Sequence, residues 1–171
     1  STLNSIWTMG YLHIENLYRP SAQTILLFRE CWSLEKVHGT SAHIAWRDGK
    51  IHYFAGGTSF ASFRVLFDEE HLLQAFNALG HKDVTLYGEA YGGKMQGMRT
   101  TYGDALRFIA FDVKVNDVWL SVEQMADIAT KLGQEVVPYH RVSTDLQALD
   151  AERDRPSEVA LRRGVIEPKH R

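Results

Sequence analysis

The sequence predicts an α+β fold in which an antiparallel sheet is flanked by helices. Runs rich in β-branched and aromatic residues recur through the first two thirds of the chain, at 24–28, 42–46, 50–54, 84–87, 107–115 and 118–120, and such runs are typical of strands. Asp48-Gly49 and Asn116-Asp117 connect two pairs of these runs, and both dipeptides tolerate the positive φ angles of a tight hairpin. Strands joined by hairpins are antiparallel, so a parallel dinucleotide-binding sheet is disfavoured.

Three segments have helical rather than strand spacing, and each has a glycine at its end: 69–79, 121–132 and 157–164. Apolar residues three and four positions apart give these segments one apolar stripe, which predicts amphipathic helices lying against a sheet. At the start of the second segment, Ser121 and Gln124 have the spacing of a capping box.

Composition and charge are those of a single globular domain. The 171 residues are 44% apolar, and 19 Lys and Arg against 21 Asp and Glu give a net charge of −2. No run approaches the roughly 18 apolar residues of a membrane-spanning helix, so we expect no membrane partner. Cys31 is the only cysteine, which excludes an internal disulfide and favours the reducing cytoplasm. Because the chain has no overall excess of basic residues, a nucleic-acid partner would have to bind to a local cluster of lysine and arginine side chains.

The first candidate for chemistry is Lys36, which is followed three residues later by Gly39 just before a predicted strand. A neutral lysine amine attacks an electrophilic phosphorus when desolvation or nearby cations lower its pKa. Glycine at position 39 lets the backbone come close to a phosphate. Alone, this pattern is also typical of a solvated turn, so it needs support from other residues.

Two further candidates, Glu89 and Phe111, lie at predicted strands. Glu89 follows a glycine at the end of a strand, where its carboxylate can accept hydrogen bonds from both hydroxyls of a ribose. A surface glutamate in a turn is the alternative. Strict alternation in the longest strand predicts Phe111 on one face with Ile109 and Val113, and Asp112 on the other face. Phe111 is therefore either a core residue or a flat platform for a nucleobase.

Together, these segments resemble a known series of motifs. Lys36-x-x-Gly39, Tyr87-Gly88-Glu89 and Phe108-x-x-Phe111-Asp112 resemble motifs I, III and IIIa of the covalent nucleotidyltransferases, which include ligases and capping enzymes. The context Leu34-Glu35-Lys36-Val37-His38-Gly39-Thr40-Ser41 is similar to that of RNA ligase 2-like, ATP-dependent RNA ligases, as are Ile14-Glu15-Asn16-Leu17-Tyr18 and Trp46-Arg47-Asp48-Gly49-Lys50. The resemblance extends from about residue 14 to residue 171.

This resemblance implies a three-step sealing reaction that uses ATP and Mg²⁺ or Mn²⁺. Lys36 would form a lysyl-AMP, the AMP would pass to a 5′-phosphate end of RNA, and a 3′-hydroxyl would displace it. The implied nucleotide site consists of six residues, with no metal ligand among them: Glu35, Lys36, His38, Gly39, Glu89 and Phe111. Glu89 would hold the ribose and Phe111 would stack on adenine. The Glu35 backbone would help to read the adenine edge, and His38 and Gly39 would lie beside the phosphate.

The resemblance also implies the architecture, an ATP-grasp-like nucleotidyltransferase (adenylylation) domain of two twisted, mainly antiparallel sheets with flanking helices. We expect residues 1–171 to form that single domain without the family's C-terminal motifs IV and V, which are not found. Ser41 stands where family members carry asparagine, and Gly56 where they carry arginine. The candidate replacements for that arginine are Arg64, Arg47 and Lys94.

Two alternatives of different kinds stay open on the sequence. One is an ATP-dependent DNA ligase or a capping-type nucleotidyltransferase. The other is a remnant that binds a nucleotide or a nucleic acid without catalysis. Nicked duplex RNA and DNA ends are both alternatives to single-stranded RNA ends, and the oligomeric state is not predicted.

Overall fold

The computed structural model describes Tyr11 and residues 19–165, and it has two β-sheets. The strands are β1 (Glu30–Leu34), β2 (Thr40–Arg47), β3 (Lys50–Ala55), β4 (Val84–Tyr91), β5 (Arg107–Val115), β6 (Val118–Trp119), β7 (Glu135–Val136) and β8 (Tyr139–Ser143). The larger sheet has the order β3-β2-β4-β5-β6, all antiparallel, and β7 pairs in parallel with β5. The smaller sheet is the antiparallel pair of β1 and β8.

The described residues also form six α-helices, which flank the sheets. They are α1 (Phe60–Arg64), α2 (Glu69–Leu79), α3 (Arg99–Tyr102), α4 (Val122–Lys131), α5 (Leu146–Arg153) and α6 (Glu158–Arg162). Short 3-10 helices occupy Pro20–Leu27 and Met95–Gly97. The predicted α+β class, with mainly antiparallel sheets and helices outside them, is confirmed. The stretch 14–18 that supported the family resemblance lies outside the described residues.

The local signals for hairpins and helices are confirmed. Asp48 and Gly49 have φ of 54° and 69° between β2 and β3, and Asn116 and Asp117 have φ of 45° and 69° between β5 and β6. The Ser121 hydroxyl accepts from the Gln124 amide while the Gln124 side chain accepts from the Ser121 amide, so the capping box is present at α4.

The strand predicted at 24–28 is wrong, because residues 24–27 lie within the 3-10 helix Pro20–Leu27 and Phe28 is its C-cap. Proline at the start fixes φ near the helical value and favours a helical turn over a strand. The family resemblance implied two sheets, but the residue patterns did not predict the two strands of the smaller one. Its strands are only five residues long, and they pair across most of the chain, from Glu30 with Ser143 to Leu34 with Tyr139.

The larger sheet is covered differently on its two faces. One face packs against α1, α2 and α4 through a core that includes Phe63, Phe76 and Met125. The other face packs against a second cluster that brings together Val37, Tyr91, Tyr102, Ile109, Val137, Val159 and Ala160. Because this second cluster includes residues of α3 and α6 and of the loop after β1, it holds that loop against the sheet. We call this second side of the sheet the site face.

A β-bulge interrupts the pairing of β4 with β5. Tyr87 pairs with Asp112, whereas the next residue, Gly88, pairs with Ala110, so that Phe111 has no partner on β4. A bulge residue shifts the alternation of side chains beyond it to the opposite faces. The predicted strict alternation is therefore wrong beyond Phe111.

None of the helices in the described part combines the length and the apolar character that crossing a bilayer requires.

Candidate functional site

The loop between β1 and β2 carries Lys36 at the edge of the site face. Its neighbours Glu35 and Val37 are buried, at 4% and 5% exposure, whereas Lys36 itself is exposed. The two buried neighbours anchor the loop, while the amine of Lys36 stays accessible. The positive charge of Lys36 favours the ionised form of Glu89 and opposes the effect of burial on its pKa.

Gly39 brings this loop into contact with β4. Its amide donates a 3.1 Å hydrogen bond to Oε1 of Glu89. A Cβ at position 39 would lie 2.0 Å from the carbonyl oxygen of Ala90, so only glycine fits here without a backbone shift. The predicted residues Lys36, Gly39 and Glu89, which are far apart in the sequence, are thus brought together.

Glu35 is a structural anchor in this chain. Its amide donates to the Pro138 carbonyl at 3.0 Å, and its buried Oε2 accepts from the Val159 amide at 3.1 Å, at the start of α6. A carboxylate at a helix N-terminus interacts favourably with the helix dipole. That the Glu35 backbone reads the adenine edge stays a prediction. The Glu35 amide already donates a hydrogen bond to the Pro138 carbonyl.

His38 is held by a residue that the sequence did not single out. The backbone amide of His38 donates to the Tyr102 hydroxyl at 3.3 Å, while its side chain is exposed. Tyr102 itself is 3% exposed and packs edge-on against Tyr91 at 5.3 Å between ring centroids. No local sequence signal marks Tyr102, because its role depends on α3 packing against the loop.

Phe111 lies half-buried on the site face, at the bulge. It packs against the second cluster together with Ile109, as predicted, but Val113 lies in the core on the opposite face. Asp112 instead shares the side of Phe111, because the Tyr11 hydroxyl donates to Oδ2 of Asp112 at 2.5 Å and the Tyr11 ring lies 4.9 Å from the Phe111 ring. Sequence reasoning missed Asp112 and Tyr11 at this place. Glycine within a strand pattern, here Gly88, was the available signal for the bulge.

Burial raises the pKa of Glu89, while the Gly39 amide and Lys36 act in the opposite direction without cancelling that effect. Burial similarly raises the pKa of Asp112, although the Tyr11 hydroxyl and the Val113 amide favour its charged form. Both carboxyl groups are therefore easier to protonate than exposed ones, as expected where a polar group lies on a partly desolvated surface.

We expect Glu89→Gln to make the fold more stable at neutral pH. The pKa of Glu89 in the folded state is above its ordinary value of 4.5, so the folded state binds more protons and stability falls as pH rises through that raised pKa. Glutamine mimics the protonated side chain and escapes this loss. Urea unfolding from pH 4 to 8 should show equal stabilities at the acidic end and a growing advantage of the variant above it. A difference that does not depend on pH would contradict the expectation.

The structure separates the three candidates for the missing arginine. Arg64 lies on the opposite face of the larger sheet, where it pairs with Glu69 at 2.7 Å and lies over the Tyr53 ring. Arg64 therefore lies on the other side of the larger sheet from Gly39 and Glu89. Arg47 lies on the site face at the far end of β2, and Lys94 is exposed after β4. Among the described residues, no group of three or more His, Cys, Asp or Glu side chains is placed to hold a metal ion.

Comparison with known families agrees with this geometry. A sequence model of a family described as RNA ligase matches residues 29–167. The chain belongs to the RNA ligase family. The match includes the loop with Lys36 and all of the strands described above. Among curated proteins, none matches this chain significantly.

Solved structures of Naegleria gruberi RNA ligase have a similar fold. A variant with ATP and manganese has a TM-score of 0.73 at 15% identity, covering 95% of this chain and 51% of that chain. A second variant with ATP and manganese has a TM-score of 0.69 at 16% identity, with 87% and 49% covered. The ligase with pyrophosphate has a TM-score of 0.67 at 16% identity, with 86% and 47% covered. The chain thus spans about half the length of these structures.

Proposed function

We propose that this chain is the nucleotidyl-transfer part of an ATP-dependent RNA ligase, with Lys36 as the nucleophile. The single observation that carries the proposal is the convergence of Lys36, Gly39 and Glu89 on one face of the larger sheet. Membership of the RNA ligase family supports it, as does the similarity to a ligase whose structures contain ATP or AMP with manganese.

In the proposed first step, the neutral amine of Lys36 attacks the α-phosphorus of ATP. A nitrogen–phosphorus bond forms, the bond from that phosphorus to the pyrophosphate oxygen breaks, and the amine proton goes to solvent. Pyrophosphate leaves, and AMP remains on Lys36. The exposure of Lys36 suits this step, because the amine must meet both the nucleotide and, later, an RNA end.

The remaining groups orient the nucleotide. A carboxylate has acceptor capacity beyond the one bond that Glu89 receives from Gly39, which leaves it able to accept from ribose hydroxyls. Glycine at position 39 lets the loop with Lys36 lie directly against the Ala90 carbonyl of β4. The half-buried ring of Phe111 provides a face for adenine. His38 would lie beside the phosphate, because Tyr102 fixes its backbone next to Gly39.

A divalent metal, Mg²⁺ or Mn²⁺, would be bound mainly by the phosphate oxygens of the nucleotide, because the described side chains form no group of metal ligands. Such an ion would neutralise charge on the leaving pyrophosphate. In the later steps, AMP would pass to the 5′-phosphate of an RNA end. A 3′-hydroxyl would then attack that phosphate and release AMP, which closes the phosphodiester bond.

The test is labelling of the full chain with nucleotide. The protein is first treated with pyrophosphate and Mg²⁺ to remove any AMP acquired during expression. It is then incubated with ATP or with GTP, in Mg²⁺ or Mn²⁺, and its intact mass and tryptic peptides are measured. We expect a gain of one AMP from ATP, located on the peptide with Lys36.

Three outcomes would contradict the proposal. Absence of any adduct would favour a remnant that binds nucleotide without catalysis. A preference for GTP would favour a capping-type enzyme, and an adduct on another lysine would place the chemistry elsewhere. Offering the labelled protein RNA and DNA ends in parallel then tests the RNA assignment, since AMP should be lost faster to RNA 5′-phosphates.

A further inference from the structure

The site face continues beyond Glu89 as an aromatic and basic surface on β2 and β3. Ser41 pairs with Glu89, and two residues further along β2 the side chain of His43 points to the same face. His43 pairs with Phe54 on the edge strand β3, and the two rings stack at 5.0 Å with an interplanar angle of 21°. We call the stacked rings of Phe54 and His43 the stacking platform.

Phe54 is 48% exposed although it is a large apolar side chain. The other side chains of β3, Ile51, Tyr53 and Ala55, point to the opposite face of the sheet and pack against the core. A scattered exposed phenylalanine is ordinary, but this ring stacks on His43 beside it. The contact with His43 restricts the rotation of the Phe54 ring, so less conformational entropy is lost when a base binds there.

The charged side chains that β2 and β3 place beside the platform are basic, while the carboxylates of the site face, Glu89 and Asp112, lie on β4 and β5. Alternation along β2 and β3 places Arg47, Lys50 and His52 on the same face as Phe54, with Lys50 and His52 exposed. Neither β2 nor β3 contains an aspartate or a glutamate. Positive charge beside an aromatic face is complementary to a nucleic-acid strand, whose bases stack on rings and whose phosphates pair with lysine and arginine.

The platform lies one row of side chains along the sheet from Glu89. Two residues along a strand span about 7 Å, so the row of His43 and Phe54 lies about that far from the row of Ser41 and Glu89. Phe111 is on the far side of β4 from this platform, which leaves Phe54 clear of the proposed adenine position. An RNA strand whose end lies beside Glu89 reaches the platform by passing over β2 and β3.

We propose that the stacking platform binds an unpaired base next to the RNA end that is to be joined, with Lys50 and Arg47 contacting its backbone. This inference rests on the proposed function, because it names where the substrate of that reaction lies. Unpaired RNA fits better than duplex, since a base within a duplex does not offer its face to a protein ring.

The test is binding of a fluorescent single-stranded RNA octamer to the full chain without ATP, followed by anisotropy. We expect Phe54→Ala to weaken binding about tenfold, in line with the loss of one stacked base, and Phe54→Leu to weaken it similarly because the aromatic face is lost. Lys50→Gln should reduce the slope of log affinity against log salt concentration by about one, which corresponds to the loss of one phosphate contact. The matched control is Leu73→Ala, which removes an exposed apolar side chain from α2, the helix on the opposite face, and should leave binding unchanged.

A second readout locates the RNA directly. Octamers with 5-iodouridine at one position at a time are crosslinked by light, and we expect adducts on the peptide that contains Phe54. Crosslinks confined to other parts of the chain would overturn the platform, as would equal binding by wild type and Phe54→Ala. Labelling of Lys36 by ATP is measured on the same wild-type preparation. Labelling without RNA binding at Phe54 overturns only the platform, whereas RNA binding at Phe54 without labelling supports the platform and overturns the ligase.

Discussion

Replacing Lys36 with alanine is expected to abolish the AMP adduct, a loss on the order of a thousandfold or more in labelling rate. Under the proposed function the lysine amine forms the covalent bond, and no neighbouring group can substitute for it. Lys36 is exposed, so its truncation should leave the fold intact. The measurement is incorporation of labelled AMP over time, with urea unfolding of the same variants as a check on stability.

Two further variants sharpen this prediction. Lys36→Arg keeps the positive charge beside Glu89 but supplies a guanidinium, which stays protonated and does not attack phosphorus. It should be as inactive as Lys36→Ala. Lys82→Ala removes an exposed lysine before β4 and should label at the wild-type rate. If Lys36→Arg labels appreciably, the lysine contributes charge and is not the nucleophile.

Gly88→Ala is expected to destabilise the fold by about 3 kcal/mol, at the upper end of what overpacking usually costs. Gly88 is buried at the bulge. A Cβ there would lie 2.0 Å from the Ile109 carbonyl oxygen and 2.7 Å from the Phe108 ring. Neither neighbour can move freely, since the first is strand backbone and the second is a core side chain. The midpoint of urea unfolding measures the effect.

Gly56→Ala is the matched control for this change. The added Cβ would meet mainly the Thr40 hydroxyl at 2.9 Å, which belongs to a side chain that can rotate away. We expect a loss below about 1 kcal/mol there. Equal unfolding midpoints for Gly88→Ala and wild type would show that the bulge accommodates a side chain.

Local signals in the sequence were sufficient for the parts of the fold that local physics decides. The hairpin at Asp48-Gly49 and the capping box of Ser121 depend on residues within a few positions of each other, and both are present. The pairing of Glu30 with Ser143 depends on residues at opposite ends of the described chain. No short-range pattern specifies such a pair, so the smaller sheet could not be predicted from spacing.

In the candidate site too, the residues in short motifs could be predicted from the sequence, whereas the contacts between distant segments could not. The motif residues Lys36, Gly39 and Glu89 could be named from the sequence, and the structure brings them together. The bulge could have been suspected from Gly88, but its consequence could not, because one extra residue exchanges the faces of Asp112 and Val113. The contacts of Glu35 with Pro138 and Val159 depend on how α6 packs, which spacing does not reveal.

Under the proposed function, those contacts of Glu35 also bear on when Lys36 can react during synthesis of the chain. The loop with Lys36 is made early, yet it is fixed by Pro138 and Val159, which leave the ribosome much later. Contacts so distant in sequence form slowly, because a long loop must close first. A nascent chain that already displays Lys36 would therefore hold that lysine in an unfixed loop. Reactivity would arrive only when nearly all of the described chain has been made, so unfinished chains would not consume nucleotide.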